Sequence, residues 1–181
     1  MRTTISQDYP QFTSEEALFL VTGKQDAKFY HVYDATIELV DDISIPHPKY
    51  SDREGSYAST SRNGMIQSGS SLTDLDRVVI RDFITALKHH LKMYMHMHKK
   101  NIDTLYLFTP DHMKNYILDA LPTELRSKVS YIFAGNYYHE HPEFFLQKIQ
   151  DQAELNNLTE PQGEAKKILD NSYKARRAKF A

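Results

Sequence analysis

Cysteine is absent from all 181 residues, which removes structural disulfides, thiolate zinc sites and cysteine nucleophiles at once. A reducing, cytoplasmic setting is the expectation. Long apolar runs are missing as well. No segment approaches the roughly 18 apolar residues of a membrane span, and "MRTTISQDYPQFTSEEALFLV" has no apolar run of signal-peptide length behind Arg2. The expected protein is soluble, with no membrane partner. Also absent are a Gly-x-Ser-x-Gly elbow, a phosphate-binding loop and a dinucleotide fingerprint. No cofactor and no resident metal are expected, and the expected function is non-enzymatic.

Glycine is scarce too, at six, yet three of the six fall in "PKYSDREGSYASTSRNGMIQSGSSLTD", residues 48–74, beside seven serines. So polar a stretch between patterned segments reads as a long loop. Charge is unevenly spread. In residues 163–181 six cations face Glu164 and Asp170, a net +4, so the other 162 residues carry −6 of the chain's net −2. Such a tail suits phosphate through counterion release, or equally a solubilising helix end whose cations complement the dipole.

The patterned segments follow in a definite order. "ALFLVT", residues 17–22, is a short apolar run that predicts a strand buried on both faces. "AKFYHVYDATIELVDDISI" alternates on either side of Asp34-Ala35 and predicts two more strands in a meander. Residues 73–100 place Leu75, Val79, Phe83, Leu87 and Leu91 four apart, which predicts a long amphipathic helix, capped by Thr73 with Asp76 and ended by Lys99 and Lys100. "IDTLYLF" predicts a fourth strand. "TPDHMKNYILDAL" predicts a helix capped by Thr109 with Pro110 first, "KVSYIFAG" a fifth strand, and "HPEFFLQKIQDQAEL" a closing helix started by Pro142. The expected fold class is α/β: a mixed five-stranded sheet with flanking helices in β-β-β-α-β-α-β-α order and ribonuclease H-like topology. The expected organisation is an N-terminal tail over 1–14, a domain over 15–155 with its polar loop at 46–72, and a basic tail over 156–181.

That fold does not bring a nuclease with it. Ribonuclease H chemistry needs carboxylates converging on two metals, one of them inside the first strand, and "ALFLVT" holds none. Glu15 and Glu16 precede that strand and Asp111 follows the fourth. His96 and His98 diverge on a helix, as do His89 and His90, whereas His139 and His141 share a side if extended and form, with Glu140, the one candidate hydrolytic group. The aromatics of "KFYHVY" predict core packing. Tyr137 and Tyr138 are the expected surface exceptions.

The meander, long polar loop, long helix and two strand-helix units resemble the middle domain of archaeal and eukaryotic class I translation release factors. They are similar too to that domain's single-domain bacterial relatives, which include host attachment proteins; the resemblance spans roughly residues 15–150. In that family the loop carries Gly-Gly-Gln before Ser and assists release of the peptide at the ribosome. Here "MIQS" puts Met65 and Ile66 where the glycines stand and keeps Gln67. A β-branched residue there denies the backbone its positive-φ freedom, so peptide release is not expected. The resemblance implies a translation, ribosome-rescue or hibernation factor that contacts the ribosome or ribosomal RNA. Its expected contacts are Lys49, Arg53, Arg62, Asn63 and Gln67 in the loop, with Lys174, Arg176, Arg177 and Lys179 in the tail. The alternative is a protein-interaction module, a homo-oligomer or a host-attachment-type protein, with no RNA role.

Overall fold

The computed structural model describes residues 2–46, 60–61, 64–65, 71–97 and 102–159. In chain order these form β1 (Arg2–Thr4), β2 (Ala17–Thr22), β3 (Asp26–Tyr33), β4 (Thr36–Ser44), β5 (Thr60–Ser61), β6 (Gly64–Met65) and α1 (Ser71–Met97). After them come β7 (Thr104–Thr109), α2 (Lys114–Ala120), α3 (Thr123–Arg126), β8 (Val129–Ala134) and α4 (Pro142–Thr159). The main sheet runs β1-β4-β3-β2-β7-β8, antiparallel through the first four strands and parallel from β2 through β7 to β8. β5 and β6 make a separate two-stranded hairpin with Thr60 opposite Met65.

The fold is α/β, as the sequence predicts, but its sheet has six strands where five were expected. The sixth is β1, inside the segment expected to be a tail: Arg2, Thr3 and Thr4 face Glu38, Ile37 and Thr36. Three residues hold no readable alternation, and only the long-range ladder reveals them. Two helix starts also differ. α1 begins at Ser71, ahead of the expected cap at Thr73. Thr109 caps no helix, because it ends β7 with its hydroxyl held by the Thr22 hydroxyl at 2.8 Å, and a turn from Pro110 to Met113 delays α2 to Lys114.

β2 is buried at every position, which is what a strand with neighbours on both edges and cover on both faces demands. Its side chains alternate between two layers. Leu18 and Leu20 join Phe29, Leu105, Leu107 and the inward row of α1, namely Phe83, Leu87 and Leu91, with Met113, Ile117 and Leu125 closing the cluster. Each such side chain contributes about 1.5–3 kcal/mol by leaving water. On the other face Phe19 meets Phe12, Tyr106 and Phe108 at centroid separations of 5.5 to 6.0 Å, mostly edge to face. Of the "KFYHVY" aromatics predicted to be core, Phe29 and Tyr30 of β3 are buried and Tyr33 is half-buried.

Two residues, Asp34 and Ala35, turn β3 into β4, both at positive φ, 44° and 54°. A two-residue hairpin requires that geometry to match the strand twist. The turn's amides are taken by the preceding segment: Asp34 N–H donates to the Phe12 carbonyl and Ala35 N–H to the Gln11 carbonyl. Alanine resists the left-handed region by about 1–2 kcal/mol, so Ala35→Gly is expected to stabilise the protein by about 0.5–1 kcal/mol after the glycine's chain-entropy cost. Thermal unfolding checks it, and a lowered melting temperature would mean the turn is not left-handed.

The described residues divide into two compact units, one containing Gln11–Glu140 and β1, the other Gln7–Pro10 and the chain from His141. In the second, α4 starts at Pro142 as expected and buries Phe145, Leu146 and Ile149 along one face.

Candidate functional site

Three regions of the first unit gather polar chemistry. At the N-terminal ends of the parallel strands a cavity of about 540 Å³ is lined by Glu15, Glu16, Asp34 and Asp103 together with Phe12 and Tyr33. Three of its carboxylates are engaged in joining strands. Asp103 accepts the Glu16 amide at 2.9 Å, Glu15 accepts the Thr104 hydroxyl at 3.2 Å, and Glu16 lies 3.1 Å from Nε2 of buried His31. This network fixes where β2 starts against β7. Asp111 follows the far end of β7, so it does not converge with Glu15 and Glu16. Among the described residues no group of three or more histidines and acids is arranged to hold a metal ion.

At the opposite end, past the carboxyl termini of β2 and β8, the contacts are again structural. Lys28 donates to the Tyr138 carbonyl at 3.0 Å and lies over its ring, while the Tyr138 hydroxyl donates to Asp42 at 2.8 Å. Desolvation, then that bond and the negative charge of Asp42 and Asp26, hold the Tyr138 hydroxyl above the ordinary tyrosine range, so it stays a donor. Tyr137 lies edge-on to Phe108 and donates to the Ala134 carbonyl. Gly135 has φ 151°, and a Cβ there would meet the Tyr137 ring at 2.6 Å. Both tyrosines, expected to be surface exceptions, are therefore tied into the sheet's end. His139 packs edge-on to Tyr138 at 5.0 Å. In the second unit, the His141 side chain stands 3.9 Å from that of Glu143, both of them 65% exposed. An exposed pair at that distance is weak.

The third region is the outer face of α1. Its inward row is apolar, and its outward positions include Arg77, Arg81, Lys88, His89, Lys92 and His96, all exposed, with Asp82 the acid among them from Arg77 onward. Arg77 and Arg81 are one turn apart, Lys88 two turns further, Lys92 one more, so the cations form a row about 22 Å long. The sequence reading placed the basic character in the tail. Inside an otherwise acidic body, this helix face is a second basic element, offset in local charge counts by Asp74, Asp76 and Asp82. The four-residue repeat of Arg77 with Arg81 and of Lys88 with Lys92 was the signal available. Like charges one turn apart cost a helix about 0.2–0.5 kcal/mol per pair, so local stability does not account for the row.

Beside the row lies a groove of about 460 Å³ between α1 and α2. Arg77, Arg81 and Lys88 rim it, Ile80 and Ile84 of α1 form its floor, and Tyr116 of α2 stands at its side, 53% exposed. Arg81 also contacts Asp82 at 3.1 Å, an exposed pair. The Thr85 hydroxyl is turned back to the Arg81 carbonyl at 2.8 Å. Charge around the groove is thus supplied by cations alone among its lining residues. Of the residues expected from the sequence to bind RNA, Lys49, Arg53, Arg62, Asn63, Gln67, Lys174, Arg176, Arg177 and Lys179 all lie outside the described residues.

No family model matches the sequence, and no curated protein matches it. Among solved structures the chain is similar to the archaeal translation termination factor aRF1, with a TM-score of 0.44 and 9% identity over 79% of this chain. It spans 40% of that protein's length. No residue role is carried over from so partial a likeness. No described helix is long and apolar enough to cross a membrane.

Proposed function

We propose that this chain is a non-enzymatic RNA-associated factor that docks on ribosomal RNA, using the outer face of α1 together with the basic tail. The observation that carries the reading is the row Arg77, Arg81, Lys88 and Lys92, exposed along one helix face of a domain whose net charge is negative. Cations so spaced can neutralise successive phosphates and release their counterions, which gives affinity without sequence preference. In this reading the α/β scaffold serves as a platform, and Glu15, Glu16 and Asp103 belong to strand pairing. A role in ribosome rescue or hibernation, with loop residues such as Arg62 and Gln67 adding contacts, is part of the same proposal.

The test is co-sedimentation of the full chain with ribosomal subunits and intact ribosomes at low and at physiological salt, beside a variant lacking residues 163–181. Pelleting that weakens as salt rises, and weakens further without the tail, is the expected result. Protein that stays in the supernatant at both salts overturns the reading, and a nuclease-resistant protein complex would favour the interaction-module alternative.

A further inference from the structure

The groove beside the cationic row has a chemistry that phosphate binding alone leaves unused. Its floor is apolar, from Ile80 and Ile84, and the exposed ring of Tyr116 flanks it. Phosphates need only the rim. A ligand that fills the groove must put a flat apolar group inside while leaving negative charge outside, over Arg77, Arg81 and Lys88.

We propose that the groove receives one unpaired nucleobase of a single-stranded RNA, stacked on Tyr116 over Ile80 and Ile84, with the flanking phosphates on Arg77, Arg81 and Lys88. The assignment rests on the RNA-docking role proposed above and names the form of RNA that role selects. Size supports a single group. The groove's 460 Å³ lies within the range of small-ligand sites, roughly 300–1,000 Å³. Its floor is one helical turn, about 6 Å from Ile80 to Ile84, too short for the stripe of anchors that an amphipathic peptide helix presents. Charge supports a nucleic acid, because the charged residues that line the groove are all cations. Form supports a single strand: a duplex keeps its bases stacked, and only an unpaired base can turn its face to an aromatic ring.

The chain contains no tryptophan, so Tyr116→Trp in the full-length protein introduces a unique fluorophore at the groove. The expected result is saturable quenching of that fluorophore by a short oligoadenylate RNA and none by a duplex RNA of equal length. Tyr116→Ala is expected to weaken oligoadenylate binding, read by anisotropy of labelled RNA, about ten-fold at constant salt slope. Circular dichroism of both variants confirms that the half-exposed site tolerates the change. Salt-dependent RNA binding with no quenching, and with unchanged affinity in Tyr116→Ala, would overturn the groove assignment and leave the docking role standing. Absence of RNA binding in every variant would overturn both. Quenching by an acidic peptide in place of RNA would assign the groove to a protein partner and overturn the inference.

Discussion

Replacing Arg77, Arg81 and Lys88 together by glutamate is expected to lower the affinity for single-stranded RNA by about 100-fold at 0.1 M salt. Each phosphate contact to a single strand contributes about 0.7 to the slope of log affinity against log salt, so three contacts contribute about 2. Between 1 M and 0.1 M salt that slope amounts to about two decades of affinity, and the introduced negative charge adds repulsion to the loss. The variant should therefore show both a weaker binding constant and a flatter salt slope, measured by anisotropy across a salt series. All three side chains are exposed, so folding should be little changed: Arg77 and Arg81 exchange one like-charge pair for another, and Lys88→Glu gains an opposite-charge neighbour in Lys92 one turn on. Retention of the parent's slope would mean that phosphates lie elsewhere, and the tail at residues 163–181 would then be the remaining basic element.

The contrast between tail and helix explains what the sequence made legible. Six cations among nineteen residues are visible in a composition window, whereas Arg77, Arg81, Lys88 and Lys92 are diluted by the apolar row that interleaves with them on the helix. Tyr116, the groove's aromatic, belongs to α2, and only packing brings it beside Ile80 and Ile84. The apolar pattern itself was readable. Val79, Phe83, Leu87 and Leu91 repeat every four residues and are buried, and "ALFLVT" coincides with β2, because burial on one helix face or on both strand faces imposes its period directly on side-chain type.

Long-range pairing was not readable. β1 offers three residues whose partners lie on β4, and the Thr109 hydroxyl, which looked like a helix cap, is taken by Thr22 across 87 residues. Likewise Glu15 and Glu16, which invite a catalytic reading ahead of the first central strand, are occupied by Thr104 and His31. In each case a polar group's role was set by a partner that local spacing does not reveal. A helix-to-sheet contact is similar: His90 on α1 reaches Asp41 of β4 at 2.6 Å, so one side of the helix is fastened to the sheet while the Arg77–Lys92 row is exposed.

That fastening makes α1 a platform whose two faces are separable by mutation. Phe83 lies two residues from Arg81, about 200° around the helix, and is fully buried in the cluster that also holds Leu18, Leu20, Leu105 and Leu107. Phe83→Ala removes that ring and leaves a cavity the surrounding strands cannot close, at an expected cost of about 3–5 kcal/mol. Against a typical total of about 5–15 kcal/mol this is a large share, and it should lower the melting temperature by roughly 6–20 °C. Urea unfolding at constant m-value would give the same free energy independently. Well below the new melting temperature, however, the cationic face should keep RNA affinity within about three-fold, because the variant changes neither the charges nor the groove's lining. A loss of stability below about 1 kcal/mol would show that α1 does not pack as described. A large loss of affinity in protein that is still folded would show that the groove depends on the packing beneath it, and the two faces of α1 would then act as one element.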